Sequence, residues 1–176
     1  MRLLVCGAMA LARLGELRIS RRNIRDSAEP TEGPWSRATY PMIVALHTAT
    51  IACTFAFGHT TRRRWLFALL AVQPLRAWVL LTLGGRWNAR AAVPSAMDVE
   101  TAGPYAFVRH PNYAVIAVEL AALPLAFGLP RLALAATVGN ACLLAPRIVE
   151  EEAALTQLPG YRAHFAKKAR FVPFVW

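Results

Sequence analysis

The residues most suited to chemistry lie in a short stretch in the second half of the chain. Residues 109–113 read Arg-His-Pro-Asn-Tyr, and a further tyrosine, Tyr105, lies four residues upstream of this stretch. Proline is common in the first turn of a helix, so Pro111 predicts a helix start. A helix start does not explain why an arginine, a histidine and a tyrosine flank the proline. These flanking side chains are therefore candidates for ligand binding.

A second group of polar side chains falls on one face of a helix predicted near the C-terminus. Asn140, Leu144, Arg147 and Glu151 follow one another at the spacing of a single helix face, and the stripe becomes polar towards its C-terminal end. Residues at i and i+4 are close enough to pair, so Arg147 and Glu151 could form a structural ion pair. They could equally face a ligand. The spacing leaves both interpretations open.

The elements that hold these residues are too apolar for an ordinary soluble domain. Of the 176 residues, 56% are hydrophobic and 17% are charged, whereas about a quarter of the residues in soluble domains are charged. Five apolar segments are separated by basic or Pro/Gly-containing stretches: residues 2–17, 41–58, 65–84, 113–127 and 130–149. We therefore expect an all-α, polytopic membrane protein with about five transmembrane helices. The last two segments should form an antiparallel helical hairpin around residues 128–130.

The positive charge of the chain is distributed unevenly. There are 20 Lys+Arg against 10 Asp+Glu, and basic residues between apolar runs favour anionic lipid headgroups over nucleic acid as partners. If all five segments cross, 13 positive residues lie on the side of loops 18–40 and 85–112 and the C-terminal tail, against 5 on the other. The positive-inside rule places the richer side in the cytoplasm. We expect a multi-pass inner-membrane protein with a cytoplasmic basic tail, and nothing indicates an obligate protein partner.

Several polar side chains lie inside the apolar segments, where a charge costs at least a few kcal/mol unless it has a partner or a wet cavity. Glu119 lies about 9 Å into the fourth segment, Gln73 and Arg76 share a face of the third, and His47 lies in the second. A shared cavity open to the cytoplasm would explain all of them. The alternative is that these charges form structural ion pairs: Arg13–Glu16, Arg76–Glu119 and Arg147–Glu151.

The chain has no pattern typical of a metal site or of a dinucleotide-binding loop. Its three cysteines, Cys6, Cys53 and Cys142, lie far apart inside apolar runs, and none pairs with a histidine or a second cysteine at metal-ligand spacing. There is no GxGxxG sequence. We expect buried cysteines and no metal.

Two blocks of the sequence resemble a known family. Residues 103–113 are similar to the G-x-Y-x-x-x-R-H-P-x-Y signature of the isoprenylcysteine carboxyl methyltransferase family. Residues 147–155 resemble the R-x-x-x-E-E-x-x-L of that family, and Gly160-Tyr161 and a basic tail follow, as in its C-termini. Phospholipid methyltransferases and sterol reductases share the R-H-P-x-Y part alone. The likeness covers about residues 84–176.

This resemblance implies one membrane methyltransferase domain, residues 1–176, that uses S-adenosyl-L-methionine without a Rossmann fold. Residues 84–176 would be its cofactor-binding and catalytic half, and the helices of residues 1–83 its lipid-substrate side. Arg147 would face the acceptor. A sulfonium cation favours tyrosine faces and a carboxylate, while histidine suits the methionine carboxylate. Carried over by position, the cofactor residues are Met97, Val99, Glu100, Tyr105, His110, Pro111, Asn112, Tyr113 and Glu151.

The reaction implied is methyl transfer to a carboxylate or phenol oxygen of a lipid-like or isoprenoid acceptor. Residues 84–90 look like the bacterial branch that methylates alkylresorcinols or alkylpyrones. A phenol with a pKa of about 10 would need a base, for which Glu119 or His47 are candidates. The alternatives are an NADPH-dependent membrane reductase of the sterol or steroid type, whose C-termini also contain His-Pro-Asn-Tyr, and a non-enzymatic lipid-binding membrane protein.

The charge distribution generates a prediction about topology. We expect the C-terminus to be cytoplasmic, so a reporter that is active only outside the cytoplasm should be silent when fused after Trp176. The same reporter inserted after His59, in a loop predicted on the opposite side, should be active. An active C-terminal fusion would contradict the orientation.

Overall fold

A computed structural model describes residues 1–27, 30–94 and 98–173. The described part is mostly helical. Its helices are α1 (Arg2–Asp26), α2 (Pro34–Phe57), α3 (Arg63–Ala71), α4 (Gln73–Leu83), α5 (Pro111–Ala126), α6 (Pro130–Leu155) and α7 (Tyr161–Phe165). Two short 3-10 turns, Gly84–Arg86 and Gly103–Ala106, lie in the connection between α4 and α5. A pair of two-residue strands, β1 (Pro30–Thr31) and β2 (Val93–Pro94), runs antiparallel with Thr31 opposite Val93.

All five apolar segments lie in helices, most of which continue beyond the apolar run. Within the described residues, three helical stretches are long and apolar enough to cross a membrane: Pro34–Phe57, Arg63–Arg86 and Pro130–Leu155. α5 is apolar but has only 16 residues, and α1 has 25 residues that include several charges. The protein is therefore a helical membrane protein, and the number of five crossings stays a prediction.

The hairpin between α5 and α6 forms where the sequence breaks at residues 128–130. Gly128 has a φ of 82°, a left-handed conformation that favours glycine. A β-carbon at this position would lie 2.5 Å from Thr60 Cγ2, so the close approach of the loop before α3 also requires glycine. Pro130 then begins α6 in its first turn. The two helices pack against each other along the hairpin.

The third apolar segment is divided by a proline. Pro74 lacks the backbone N–H that a continuous helix would use, and the chain breaks between α3 and α4 at Val72. The side-chain amide of Gln73 donates to the Leu69 carbonyl at 3.0 Å and to Glu119 Oε1 at 3.0 Å. The break therefore directs the Gln73 side chain, at the start of α4, towards Glu119 in the middle of α5.

α5 lies at the centre of the bundle, in contact with α2, α3, α4 and α6. One apolar cluster, which includes Cys6, Leu69 and Phe127, packs at the end of α5 near the hairpin loop. A second, which includes Tyr113, Leu120 and Leu144, packs nearer its start. Large apolar side chains on the outer helix faces are exposed, as expected for surfaces that contact lipid: Leu11, Phe67, Leu81 and Leu134. The expectation of buried cysteines is confirmed for Cys6, whereas Cys53 is only half-buried and Cys142 is exposed, because it lies on the outer face of α6.

The charges inside the bundle form one buried cluster across three helices. Arg13 contacts Glu16 at 2.6 Å and Glu119 at 2.5 Å. Arg76 donates from Nε to Glu16 Oε1 at 2.7 Å, and its Nη1 lies 3.6 Å from Glu119 Oε2. The expected pairs Arg13–Glu16 and Arg76–Glu119 are thus both present. The cluster holds two guanidinium groups and two carboxylates and joins α1 and α4 to α5.

We predict that Glu119→Gln lowers the thermal unfolding temperature of the detergent-purified protein. The substitution leaves two buried guanidinium groups with one carboxylate, and breaking a buried ion pair costs about 3–5 kcal/mol. For a chain of this size the shift should be on the order of 10 °C. Asp26→Asn is the matched control, because Asp26 pairs with Arg22 and Arg25 at the exposed end of α1. Equal unfolding temperatures for the two variants would contradict a structural role for Glu119.

Candidate active site

The connection between α4 and α5 carries most of the predicted cofactor residues. Gly103 starts its second 3-10 turn with a φ of 57°, and a β-carbon there would clash with Thr82 Oγ1 of α4. The turn can therefore lie directly on α4 only because residue 103 is glycine. α5 then begins at Pro111, as its first-turn proline predicts, and Pro111 is fully buried. This arrangement fixes His110 and Tyr113 on either side of the helix start.

A cavity of about 640 Å³ lies beneath this connection, and one end of it is polar. Seven of the nine predicted cofactor residues line it: Val99, Glu100, Tyr105, His110, Asn112, Tyr113 and Glu151. Pro111 is buried at the start of α5 and is not among the lining residues, whereas Met97 lies outside the described residues. Arg147, the predicted acceptor residue, also lines the cavity.

The other end of the same cavity is apolar and lies between α1 and α2. Leu3 and Gly7 line it from α1, and Val44, Ile51 and Phe55 line it from α2. These are the apolar helices of the first half of the chain. One cavity therefore connects the lipid-exposed part of the bundle with the polar side chains near α5.

Tyr113 links the two polar residues of the α6 stripe. Its hydroxyl donates to Glu151 Oε2 at 2.6 Å and accepts from Arg147 Nε at 3.3 Å. Arg147 also donates from Nη2 to the carbonyl of Ala89. Among the described residues there is no ion pair between Arg147 and Glu151, so the interpretation of these two as a structural pair is wrong. The tyrosine hydroxyl lies between them because the stripe faces α5.

The loop that contacts Arg147 is held by side-chain hydrogen bonds to its backbone. Asn88 Oδ1 accepts from the amides of Arg90 and Ala92 at 3.1 and 2.9 Å. Ser20 Oγ of α1 accepts from the Ala89 amide at 2.9 Å. This bonding fixes the Ala89 carbonyl where it can accept from Arg147, and it fixes α1 at the same level.

The C-terminal tail closes over the start of α5. The amides of Arg109 and His110 donate to the carbonyls of Ala169 and Arg170 at 3.0 and 2.8 Å. Arg170 donates two hydrogen bonds, of 3.0 and 2.8 Å, to the carboxylate of Glu152. His110 Nε2 lies 3.0 Å from Glu152 Oε1. Glu152 therefore holds both His110 and the tail.

Two buried polar atoms at the polar end have no hydrogen-bond partner among the described residues. They are Asn112 Oδ1 and the hydroxyl of Tyr161, and both side chains line the cavity. Burial, with Glu152 and Glu151 nearby, raises the pKa of Tyr161 to about 12. Burial and the same kind of carboxylate neighbours raise the pKa of Tyr105. Both phenols are therefore neutral donors at physiological pH. The buried Asn112 Oδ1 and Tyr161 hydroxyl, which have no partner among the described residues, indicate a ligand site.

Sequence reasoning assigned no role to several residues at this end. Glu152 and Tyr161 lie within motifs that resemble the family, and the second glutamate of the E-E pair was a usable signal for Glu152. Phe165, one turn after Tyr161, also lines the cavity, as does Arg109, which the sequence already indicated as a candidate for ligand binding. Glu119, by contrast, does not line it among the described residues, and both of its oxygens accept hydrogen bonds. The geometry therefore does not favour Glu119 as a base.

Comparison with known proteins agrees with this arrangement. Residues 65–157, more than half of the chain, match the profile of the Isoprenylcysteine carboxyl methyltransferase (ICMT) family. The chain belongs to this family. ICMT membership makes it a membrane methyltransferase and confirms the resemblance read from residues 103–113 and 147–155. The chain is also 28% identical over 161 residues to the uncharacterized protein YpbQ of Bacillus subtilis (strain 168), across 88% of this chain and 96% of that protein.

Proposed function

We propose that this ICMT-family protein transfers a methyl group from S-adenosyl-L-methionine to an oxygen of an amphipathic, lipid-like acceptor. The continuity of the cavity carries this proposal. Its polar end holds Tyr105, His110 and Glu151, and its apolar end lies between α1 and α2. A molecule with a polar head and a long apolar chain fits such a space, because each part finds a matching lining.

The donor set at the polar end fits the proposed cofactor. Tyr105 and Tyr113 offer aromatic faces and Glu151 a carboxylate for a sulfonium cation, while His110 and the unpaired Asn112 and Tyr161 atoms offer polar contacts. S-adenosyl-L-methionine supplies an electrophilic methyl group on sulfur. Val99 and Glu100 line the same end of the cavity. Pro111 fixes the start of α5. Met97 is assigned to the cofactor only by the family resemblance.

Arg147 is the residue that we assign to the acceptor. Its Nε and Nη2 are used in hydrogen bonds to Tyr113 and Ala89, whereas its Nη1 makes none with the described residues. That N–H can donate to an acceptor oxygen and orient it towards the methyl group. A carboxylate oxygen is already nucleophilic, and for a phenol the neighbouring guanidinium charge favours the phenolate.

The chemical step needs little from the protein beyond positioning. Bound S-adenosyl-L-methionine would supply the methyl group and leave as S-adenosylhomocysteine, an already deprotonated carboxylate or phenolate oxygen would accept the methyl group, and the role of Arg147 is to orient that oxygen. The tail covers the start of α5 at this end of the cavity, through the hydrogen bonds of its carbonyls to the amides of Arg109 and His110. By the positive-inside argument, the polar end faces the cytoplasm of the inner membrane, with membrane lipids around the helices.

Binding experiments separate this function from its alternatives. We predict that the detergent-purified protein binds S-adenosylhomocysteine and not NADPH in isothermal titration. Glu151→Gln should weaken that binding about 10- to 100-fold, because it removes a charged hydrogen-bond partner worth about 1.5–3 kcal/mol. Glu150→Gln is the matched control, since Glu150 instead accepts from the amides of Trp35 and Ser36.

NADPH binding without S-adenosylhomocysteine binding would identify a reductase. Binding of neither would favour the non-enzymatic alternative. Unchanged affinity in Glu151→Gln would remove Glu151 from the cofactor site.

A second variant separates the acceptor from the cofactor. We predict that Arg147→Ala keeps S-adenosylhomocysteine affinity within a few-fold but loses about two orders of magnitude or more in methyl transfer to a lipid-like phenol or carboxylate. Arg147→Lys should rescue little, because a point charge does not reproduce the planar guanidinium. Arg131→Ala, at the exposed start of α6, is the control. Transfer at the parental rate in Arg147→Ala would exclude an acceptor role.

A further inference from the structure

A second polar layer lines the same cavity deeper in the bundle. We call it the deep polar layer, and its cavity-lining members are Arg13 and Glu16 of α1, His47 of α2 and Arg76 of α4. Glu119 of α5 lies behind it and accepts from Arg13. Neither the family resemblance nor the proposed cofactor site uses these residues.

The deep polar layer lies at a defined distance from Arg147. On α5, Glu119 follows Tyr113 by six residues, which is about 9 Å along the helix. On α1, Ser20 bonds the Ala89 amide next to Arg147, and Arg13 precedes Ser20 by seven residues, or about 10 Å. Two helices therefore give similar separations, of about 9 and 10 Å, between the Arg147 level and the deep layer.

Ion pairing alone does not satisfy the deep polar layer. Arg76 Nη1 is buried and makes no hydrogen bond with the described residues, since its nearest carboxylate oxygen, Glu119 Oε2, lies 3.6 Å away. His47 of α2 lies beside this group and close to the Asn140 side chain of α6. Arg76 and His47 both line the cavity. A buried donor without a hydrogen bond is costly, and a ligand oxygen in the cavity would satisfy Arg76 Nη1.

The charge of the layer selects the kind of group that can bind. The positive charges of Arg13 and Arg76 are already balanced by the negative charges of Glu16 and Glu119. A further anion would be an uncompensated charge inside the membrane, which is strongly unfavourable. A carbonyl or hydroxyl oxygen can accept from Arg76 Nη1 without adding charge.

We propose that the deep polar layer recognises a neutral carbonyl or hydroxyl oxygen on the chain of the acceptor. This inference rests on the proposed function, in which the methylated oxygen lies at Arg147. At about 1.2 Å of extended chain per bond, a separation of 9–10 Å places the second oxygen about eight bonds from the first. The protein thus selects acceptors with an oxygenated chain over acceptors with a plain hydrocarbon or prenyl chain.

The test uses matched pairs of acceptors, with phenol heads and with carboxylate heads. Within each pair the chains have equal length, and one member carries a keto group eight bonds from the head oxygen. We expect the wild-type protein to favour the keto member about tenfold or more in kcat/KM and in direct binding to the protein loaded with S-adenosylhomocysteine.

The double variant Glu16→Leu with Arg76→Met should abolish this preference while leaving S-adenosylhomocysteine affinity unchanged. It removes one charge of each sign, so Arg13 and Glu119 remain paired. The control is Arg22→Gln with Asp26→Asn, which removes an exposed ion pair from the same helix and should keep the preference. If the double variant fails to fold, His47→Phe decides, because His47 lines the cavity beside the deep ion pairs and belongs to none of those in the described part of the chain, so the preference should still fall several-fold.

The outcomes separate this inference from the proposed function. Methyl transfer with equal binding and equal kcat/KM for both members of each pair would overturn the deep-layer proposal and leave the function standing. A binding preference without methyl transfer would support the deep layer and overturn the function. Loss of preference in the control pair, or its persistence in both His47→Phe and the double variant, would also overturn the deep-layer proposal.

Discussion

The carboxylate of Glu119 must be neutralised inside an apolar bundle, and much of the architecture follows from that constraint. Its two oxygens bind Arg13, Gln73 and Arg76, which joins α1 and α4 to α5. A charge left alone at this depth would be strongly unfavourable, so the helices have few other arrangements open to them. With α1 fixed in this way, Ser20 accepts a hydrogen bond from the Ala89 amide, and the Ala89 carbonyl accepts one from Arg147. The buried charge therefore positions the polar end of the cavity from a distance.

The three consecutive glutamates of α6 show how the site is assembled from one helix. Successive residues point about 100° apart around a helix, so neighbouring side chains reach different partners. Glu150 accepts from two amides at the start of α2, Glu151 accepts from Tyr113 of α5, and Glu152 binds His110 and Arg170. One short stretch thus ties α6 to α2, to α5 and to the tail. Only the middle carboxylate lines the cavity, which is why substitutions of neighbouring glutamates should differ so clearly.

Helical periodicity and local motifs gave correct predictions where the relevant forces act within one helix. The apolar segments lie in helices, Pro111 begins α5, and the stripe from Asn140 to Arg147 faces inwards. Contacts between helices were harder, because periodicity shows which residues share a face but not what that face meets. The separation of Arg147 from Glu151 by a tyrosine hydroxyl is one example. The tail is another, since it docks through backbone carbonyls at residues 168–170, and such hydrogen bonds leave no pattern in side-chain types.

The two ends of the cavity belong to parts of the chain that differ in how they match the family. The family profile covers residues 65–157, which include Arg147, Glu151 and the start of α5, whereas α1 and α2 lie outside it. Yet Arg13, Glu16 and His47 come from those two helices and line the deeper cavity. Under the proposed function, the methyl donor would be common to the family while the acceptor would vary, and a pocket for a variable group needs variable walls. This division is the arrangement expected if α3 to α6 bind the common donor while α1 and α2 determine which acceptor chain enters.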